Sequence, residues 1–580
     1  MRLALAILGS ALLAAWGVGF AGPYEQQVLT IAGINALAVL GYQLVFGRLG
    51  ALSLAQGIFF AVGAYATGLL ATRWGLSFPV TFLVSILAPM LVALVVSIPV
   101  LRLGSHYFAL ATLGIAQLGT LVAVNWEDVT GGANGIYGVP EIAAFGQTVP
   151  VGSAMLVLVW GLVVFGVILF GLLTQGARGA RLATLERSPL AAGAIGIDAG
   201  RTRLTLFLIG AGFAGAAGAL QAHAVGVVSP AVARFDVMVA ILAMAVIGGR
   251  GSALGAVLGA VLLTHLPEWF RAFESYYLIA YGVAVLATVI LLPSGLAGLI
   301  RRTPARPPTR PPNWVATGPL AKSQTGFARP AGLARRPPAT LTVAGAGKRF
   351  GGLIALEGVD LHISPGRIIG LIGPNGSGKT TLLNLISGLE RADTGRVRLD
   401  AVDISGLPAN HIARLGVARC FQHPDLPGEL TAFEAVLAAT PGDASAVDRA
   451  ADSAADRAIG CLRELGIDML ASRRVSDLAA AEQRRLEIAR ALATQPRVLL
   501  LDEPAAGLGE NERVDLARQL RQLAEGGLGI LVVEHTMDFL LPLADRVVCL
   551  VAGRRVAEGE AAEVVRDPAA ISAYFGEAPA

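Results

Sequence analysis

The sequence predicts a polytopic α-helical membrane domain of about ten spans joined to an α/β domain built around a phosphate-cradling loop. Residues 1–300 hold nearly all the long apolar stretches of a 580-residue chain in which only 15% of residues are charged, and the mean hydropathy is +0.64. Residues 341–580 instead alternate charged and apolar segments, as a soluble α/β domain does. Within that half, Gly373-Pro374-Asn375-Gly376-Ser377-Gly378-Lys379-Thr380 fits the pattern G-x-x-x-x-G-K-[ST]. A chain of this length exceeds what one hydrophobic core organises.

Stretches able to cross ~30 Å of hydrocarbon occur near residues 3–21, 27–46, 52–72, 78–101, 107–124, 153–174, 204–226 and 276–298. Residues 236–266 form a further run interrupted by Gly248-Gly249-Arg250-Gly251-Ser252, read as two short spans or half-helices meeting at a cytoplasmic turn. Together these make ten crossings. Lys and Arg favour the cytoplasmic side, and residues 175–203 carry Arg178, Arg181, Arg187, Arg201 and Arg203 against Glu186 and Asp198, so that loop is placed inside. Residues 125–152, with Glu127, Asp128 and Glu141 and no Lys or Arg, then fall outside, and both termini are cytoplasmic. Residues 1–22 read as a first span; cleavage as a leader would leave the downstream topology the same.

The interior of the expected spans contains no Asp, Glu, Lys or Arg, which leaves the proton relays and ion-binding carboxylates of ion-driven transporters without residues. Small residues crowd instead, as in Gly210-Ala211-Gly212-Phe213-Ala214-Gly215-Ala216-Ala217-Gly218. Such a run permits close backbone approach between helices; a glycine-lined path for a solute is the alternative.

From Arg301 to Thr340 the composition turns to Pro and Arg, with no acidic residue, and an extended tether is expected. Forty residues of polyproline II reach at most ~120 Å. The net charge of +4 sits largely in this join, which points to no nucleic-acid partner, while Arg301 and Arg302 are placed to meet anionic membrane lipid. The three cysteines, Cys420, Cys461 and Cys549, lie in the soluble half without metal spacing, in keeping with a reducing cytosol.

The strand Ile368-Ile369-Gly370-Leu371-Ile372 runs into the glycine loop and then into an apolar helix from Lys379 to Leu389, the context that the motif requires. Loop amides and the helix N-terminus form a nest for phosphate oxygens, Lys379 reaches the β- and γ-phosphates, and the Thr380 hydroxyl binds Mg²⁺, with Thr381 completing the nucleotide-binding run. A second buried strand, Val498-Leu499-Leu500-Leu501, ends in Asp502-Glu503. That places Asp502 near Mg²⁺ and Glu503 where it polarises an attacking water.

With these motifs, residues 341–580 resemble the ATP-binding cassette (ABC) family, whose cassette is a P-loop NTPase with a helical subdomain. The resemblance implies ATP and Mg²⁺ as cofactors. It also implies that Phe350 stacks on adenine, that Gln422 in Arg419-Cys420-Phe421-Gln422 senses Mg²⁺ and the membrane partner, and that His535 contacts the γ-phosphate. One motif departs. Ahead of Gln483-Arg484-Arg485-Leu486-Glu487-Ile488-Ala489-Arg490, where the family usually has Leu-Ser-x-Gly-Gln, this chain has Leu478-Ala479-Ala480-Ala481-Glu482. In the family this segment caps nucleotide held by a second, head-to-tail cassette. Ala479 lacks the hydroxyl, Ala481 adds a Cβ where close approach needs glycine, and Glu482 adds negative charge. A lost hydrogen bond to a charged group is worth ~1.5–3 kcal/mol, which predicts an asymmetric pair in which this chain's own loop turns over faster than its partner's. A tolerated variation is the alternative, and Gly509-Glu510 in place of the usual Asn-Pro after Gly507-Leu508 is a second departure.

The membrane half resembles the permeases of branched-chain amino acid importers. The carrying segments are Leu52-Ser53-Leu54-Ala55-Gln56-Gly57 with Gly63-Ala64-Tyr65, then Thr130-Gly131-Gly132-Ala133-Asn134-Gly135-Ile136, and Ala243-Met244-Ala245-Val246-Ile247-Gly248-Gly249. Ala573-Tyr574-Phe575-Gly576-Glu577 is similar to the ending of the ATPases of those systems. The resemblance implies an inner-membrane importer made of this fusion, a second permease subunit, a second ABC ATPase subunit and an external solute-binding protein. It also implies a coupling loop from Glu186-Arg187-Ser188-Pro189-Leu190 to Gly196, docking beside Gln422. The domains are then 1–300 permease, 301–340 linker and 341–580 ATPase. Importers of urea, short amides or aromatic acids, a catalytically impaired structural subunit, and a half-exporter remain the alternatives.

Overall fold

A computed structural model describes residues 2–101, 103, 105–144, 147–269, 277–292, 294–299, 336–441, 447–568 and 570–571. Of the expected linker 301–340, residues 301–335 lie outside the described residues, as does the Ala573–Glu577 ending, while Ala339 at the linker's end is already buried. The chain divides into two compact units, one made of Met1–Gln175 with the chain from Gly200 to the linker, the other of Gly176–Ala199 with the C-terminal half.

The first unit is helical. Its principal helices are α1 (Arg2–Gly19), α2 (Pro23–Leu49), α3 (Gln56–Arg73), α4 (Phe78–Val100), α5 (Ser105–Asn125) and α6 (Ser153–Thr174). After α7 (Gly176–Arg187) and α8 (Pro189–Ala194), which belong to the second unit, it continues with α9 (Ala199–Val225), α10 (Phe235–Gly248), α11 (Ala253–Trp269) and α12 (Tyr277–Leu291). Among the described residues six of these, α1, α2, α4, α5, α6 and α9, are long and apolar enough to cross a membrane, and α10 and α11 are shorter apolar helices. The broken run thus folds as two shorter helices of 14 and 17 residues around the Gly248–Ser252 turn. The expected last span, 276–298, stops at Leu291, two residues before Pro293, because a residue preceding proline is pushed out of helical geometry.

Glycine decides how closely these helices cross. A Cβ on Gly215 of α9 would lie 2.0 Å from the Ser85 carbonyl oxygen of α4, one on Gly218 would lie 2.0 Å from the Phe60 oxygen of α3, and one on Gly63 of α3 would lie 2.3 Å from the Gly215 oxygen. The small-residue run of α9 is therefore a packing surface, with Gly210 to Leu220 buried throughout. Away from the helices, Ile136–Tyr137 pairs antiparallel with Val227–Val228, tying the segment before α10 to the 126–152 region.

The second unit holds the α/β fold. A four-stranded antiparallel sheet has the order β2 (Leu353–Ile363), β1 (Leu341–Phe350), β4 (Thr394–Leu399), β5 (Val402–Asp403). A six-stranded sheet has the order β6 (Val417–Cys420), β7 (Val498–Asp502), β8 (Gly529–Val533), β3 (Ile368–Ile372), β9 (Arg546–Val551), β10 (Arg554–Gly559). All of its neighbours are parallel except β9 and β10. Every residue of β3, β7 and β8 is buried, as expected of central parallel strands covered on both faces. The helices used below are α13 (Lys379–Ile386), α14 (Ala409–Leu415), α15 (Ala432–Leu437), α16 (Val447–Glu464), α17 (Ala480–Ala493) and α18 (Glu510–Glu525). Helices α15, α16 and α17 pack on one another as a helical subdomain.

Overpacking a helix crossing costs about 1–3 kcal/mol or more. Gly215→Val is expected to lower the thermal aggregation temperature of the detergent-solubilised chain by several degrees, whereas Gly161→Ala, whose Cβ meets nothing within 4 Å, leaves it unchanged. Fluorescence-detected size exclusion after heating checks both.

Candidate nucleotide site and the segment docked beside it

The carboxyl ends of β6, β7, β8 and β3 lie side by side, where parallel α/β sheets place ligands. Each delivers one candidate element: Phe421-Gln422 after β6, Asp502-Glu503 from β7, Glu534-His535 after β8, and the glycine loop after β3.

The loop is built on backbone that only glycine adopts freely. Gly373, Gly376 and Gly378 have φ of +149°, +78° and +101°, and a Cβ on Gly373 would lie 2.2 Å from the Leu550 oxygen. Lys379 opens α13 and donates to the Gly373 and Pro374 carbonyls at 2.7 and 2.9 Å. Burial pulls its ammonium below the ordinary lysine range, opposed by Glu503 and Asp502. The Ser377 hydroxyl is buried without a hydrogen-bond partner, while Asn375, Gly376 and Thr380 are exposed and Thr381 is half-buried. An orphaned hydroxyl inside a ring of loop amides, headed by an ammonium, fits a polyphosphate. Phe350 is 45% exposed at the end of β1, with the Lys348 ammonium 5.2 Å from its ring centre, so it is a presented ring and not a core residue.

The catalytic candidates converge. Gln422 Nε2 donates to Glu503 Oε2 at 2.8 Å, and His535 Nδ1 lies 3.7 Å from Glu503 Oε1. Glu503 has a φ of +47°, a left-handed conformation costing a non-glycine residue about 1–3 kcal/mol, and its amide donates to the Val533 oxygen at 2.9 Å. Asp502 is buried and accepts from Arg419 Nη2 at 3.2 Å. Burial pushes the Asp502 carboxyl up and the Arg419 guanidinium down, and each holds the other against that drift. Arg419 also donates to Asn384 and Ser387, joining the end of β7 to α13. The Asp502 carboxylate and the Thr380 hydroxyl form the donor set suited to Mg²⁺, a hard cation that keeps few protein ligands.

Residues absent from the motif-based reading hold this arrangement. Glu534, 1% exposed, accepts from Ala505 N at 2.8 Å and from His535 N and Thr536 N at 3.0 and 3.2 Å, pinning the loops after β7 and β8 together. Glu487 of α17, also 1% exposed, accepts from Phe421 N at 2.9 Å and from Arg484 at 3.1 Å, with Arg490 4.0 Å away. Arg484 donates to the Phe421 and Gln422 carbonyls, and Arg490 to the Asp425 carbonyl. The chain from Phe421 to Asp425 is thus bolted to α17 through its backbone. For Glu487, Arg484 and Arg490 the trace in sequence is charge at positions of α17 that the fold buries.

Leu478 to Glu482 lead into α17, with Ala479 at the N-cap. Alanine has no capping oxygen. Glu482 reaches back instead, Oε2 accepting from Ala479 N at 2.8 Å, so its charge is held on its own helix end.

Residues 176–199 pack on this unit between α14 and α15. Arg181 donates to the Ala438 and Thr440 carbonyls at 3.1 and 2.6 Å, and Ala180 and Ala183 cluster with Leu430 and Ala438. Arg187 pairs with Asp425 at 3.2 Å, and Arg414 donates to the Gly196 carbonyl at 3.0 Å. Ser188 caps α8 through the Ala191 amide, Pro189 is its first residue, and Leu190 is 58% exposed. Of the expected coupling residues Glu186, Arg187, Ser188, Pro189 and Leu190, Arg187 pairs with Asp425, while Arg181, outside that set, makes the deeper anchor.

Residues 26–292 match the family model of the permease component of the branched-chain amino acid transport system, and residues 356–506 match that of the ABC transporter. Over 254 residues, 41% of this chain, the C-terminal part is 39% identical to the high-affinity branched-chain amino acid transport ATP-binding protein BraF of Pseudomonas aeruginosa, covering 98% of that protein. It is equally similar to the corresponding protein LivG of Escherichia coli K12, at 39% and 98%. The chain belongs to the ABC transporter family. It fuses a permease component of the branched-chain amino acid type to its ATP-binding component. A crystal structure of a nucleotide-free ATP-binding cassette from an ABC transporter is 30% identical and wholly covered by 41% of this ABC chain, with a TM-score of 0.38.

Removing one partner from a buried charge cluster costs about 3–5 kcal/mol. Glu487→Ala, which strands Arg484 and Arg490, is expected to lower the melting temperature of the ABC unit by many degrees in differential scanning fluorimetry of the full chain.

Proposed function

We propose that this chain is the fused permease and ATPase subunit of an importer that moves branched-chain amino acids across the bacterial inner membrane at the expense of ATP. The observation that carries the catalytic part is the convergence of Gln422 and His535 on Glu503. The solute class is supported by the permease match over residues 26–292 and by the relatives of the cassette.

In this reading the amides from Gly373 to Thr381, with Ser377 and Lys379, bind the nucleotide phosphates, and Phe350 stacks on adenine. Thr380, Asp502 and Gln422 hold Mg²⁺, which when bound screens phosphate charge. Glu503 takes the proton of the attacking water, Gln422 orients that carboxylate, and His535 meets the γ-phosphate side. The positive φ of Glu503 holds its side chain toward Gln422 and His535. Arg419 opposes the upward push of burial on the Asp502 carboxyl.

The remaining subunits are a second permease, a second ABC ATPase and an external solute-binding protein, with lipid around the bundle and both termini in the cytoplasm. Residues 176–199 act as the coupling segment, with Arg181 and Arg187 joining it to the Gln422 loop. A swing of the permease from 1:99 to 99:1 needs ~5.5 kcal/mol of differential binding, and cassette closure supplies it. The signature segment makes the pair asymmetric: Ala479 and Ala481 remove contacts, and Glu482 already occupies the amide at the start of α17. Nucleotide in this chain's loop is hydrolysed quickly and nucleotide facing its signature slowly. The converging carboxylate, amide and imidazole disfavour a silent structural subunit, and the permease match disfavours a half-exporter.

Two measurements of phosphate release by the complete assembly test these roles. Glu503→Gln is expected to lower turnover at least ~100-fold, the scale of a lost general base; full turnover would contradict the assignment. Restoring the signature with Ala479→Ser, Ala481→Gly and Glu482→Gln is expected to raise turnover up to about twofold, as a site slowed by one to two decades recovers. An unchanged rate would mean both sites already work equally.

A further inference from the structure

The membrane unit has a second place where charge and cavity meet. A cavity of about 630 Å³ lies between α5 and the start of α10, lined by Gln117 and Thr120 on one side and by Arg234, Phe235, Asp236 and Val239 on the other. That volume falls within the ~300–1,000 Å³ typical of small-molecule sites.

Its depth follows from two observations. Helix α10 has 14 residues, about 21 Å at 1.5 Å per residue, against ~30 Å of hydrocarbon. The 3₁₀ turn Pro230–Ala233 just before it is fixed to α5, because Thr120 Oγ1 donates to the Ala233 oxygen at 2.8 Å. Thr120 stands five residues inside the outer end of α5 at Asn125, or about 7.5 Å down the helix axis. Ionisable side chains at such depth are tolerated where they line a water-filled cavity, and there they mark a solute path.

The chemistry of the lining is specific. Arg234 Nε and Asp236 Oδ1 are 3.6 Å apart, both side chains 65% exposed, so the pair presents one charge of each sign. Phe235 and Val239 add apolar surface on the same exposed face of α10, while Met238, Ile241 and Ala245 turn into the bundle. The positive end of α10 adds to the field that favours a carboxylate beside Arg234. A solvent-facing ion pair contributes little to stability, so exchanging it for two ionic contacts to a ligand is nearly free of penalty.

We propose that this cavity is a translocation subsite for zwitterionic α-amino acids with apolar side chains: Arg234 receives the carboxylate, Asp236 the ammonium, Gln117 the remaining polar edge, and Phe235 and Val239 the side chain. The inference rests on the amino-acid importer reading and adds to it the residues that recognise the solute inside the membrane.

Saturation-transfer NMR on the complete assembly in nanodiscs, without its binding protein, tests it with three probes: L-leucine, isoamylamine (no carboxylate) and 4-methylpentanoate (no ammonium). The wild type is expected to bind leucine at least about tenfold more tightly than either single-charge probe, the scale of one charge-assisted contact. Arg234→Gln should bring leucine down to the level of isoamylamine, and Asp236→Asn down to that of 4-methylpentanoate, with both assemblies eluting normally on size exclusion. Equal binding of all three probes by the wild type, no leucine signal, or unchanged ratios in the variants overturns the subsite. Leucine uptake by wild-type vesicles separates the two failures: uptake without these ratios rejects only the subsite, and no uptake rejects the amino-acid reading with it.

Discussion

The five residues from Phe421 to Asp425 are the constraint that joins the candidate catalytic residues to the docked segment 176–199. One side chain of that run, Gln422, bonds the catalytic candidate Glu503. Its backbone is fixed to α17 by Glu487, Arg484 and Arg490. Its last residue, Asp425, pairs with Arg187 of the segment that links α6 to α9 along the chain. A shift of this run changes all three contacts together. The buried Glu487 is what makes it behave as a unit, since a carboxylate with 1% exposure has no water to turn to when its partners move.

The two ends of this run differ in kind. The Arg187–Asp425 pair is largely solvent-exposed, with side-chain exposures of 63% and 36%, and pairs of that sort are worth ~0–1 kcal/mol. Arg181, which donates to two carbonyls from a half-buried position, and the apolar contact of Ala180 and Ala183 carry the firmer part of the docking. At the catalytic end the geometry is stiff, with a left-handed Glu503 locked to β8 and Glu534 bridging the neighbouring loops. The candidate site is thus held more stiffly than the exposed pair at the other end of the run.

Much of this was legible in the chain. Apolar run length located α1, α2, α4, α5, α6 and α9 to within about five residues, because the hydrocarbon thickness dictates it; among the described residues these six are long enough to cross where ten crossings were expected, and the last expected span stops at Leu291. Gly248–Ser252 announced the break between α10 and α11. Strand-loop-helix context located the glycine loop, and the strand ending in Asp502-Glu503 located the carboxylates. What stayed hidden acts through partners distant in sequence. Glu487 meets Phe421 across 66 positions and Arg181 meets Ala438 across 257, and nothing local separates those charges from solvated ones. The effect of Glu482 was hidden too: composition gave its charge, but only the fold showed that charge turned onto the Ala479 amide. Arg234 and Asp236 fell at the edge of an expected span and gained meaning from the depth at which Thr120 holds the preceding residue.

The central claim is that nucleotide hydrolysis at Glu503 drives an apolar bundle, lacking an ion-coupling relay of its own, through a transport cycle. The most direct measurement is accumulation of radiolabelled leucine in vesicles holding the complete assembly and its binding protein, with enclosed ATP or a non-hydrolysable analogue. The account predicts uptake over many turnovers, against the gradient, with ATP and at most a single stoichiometric release with the analogue. Equal sustained accumulation under both conditions would contradict it.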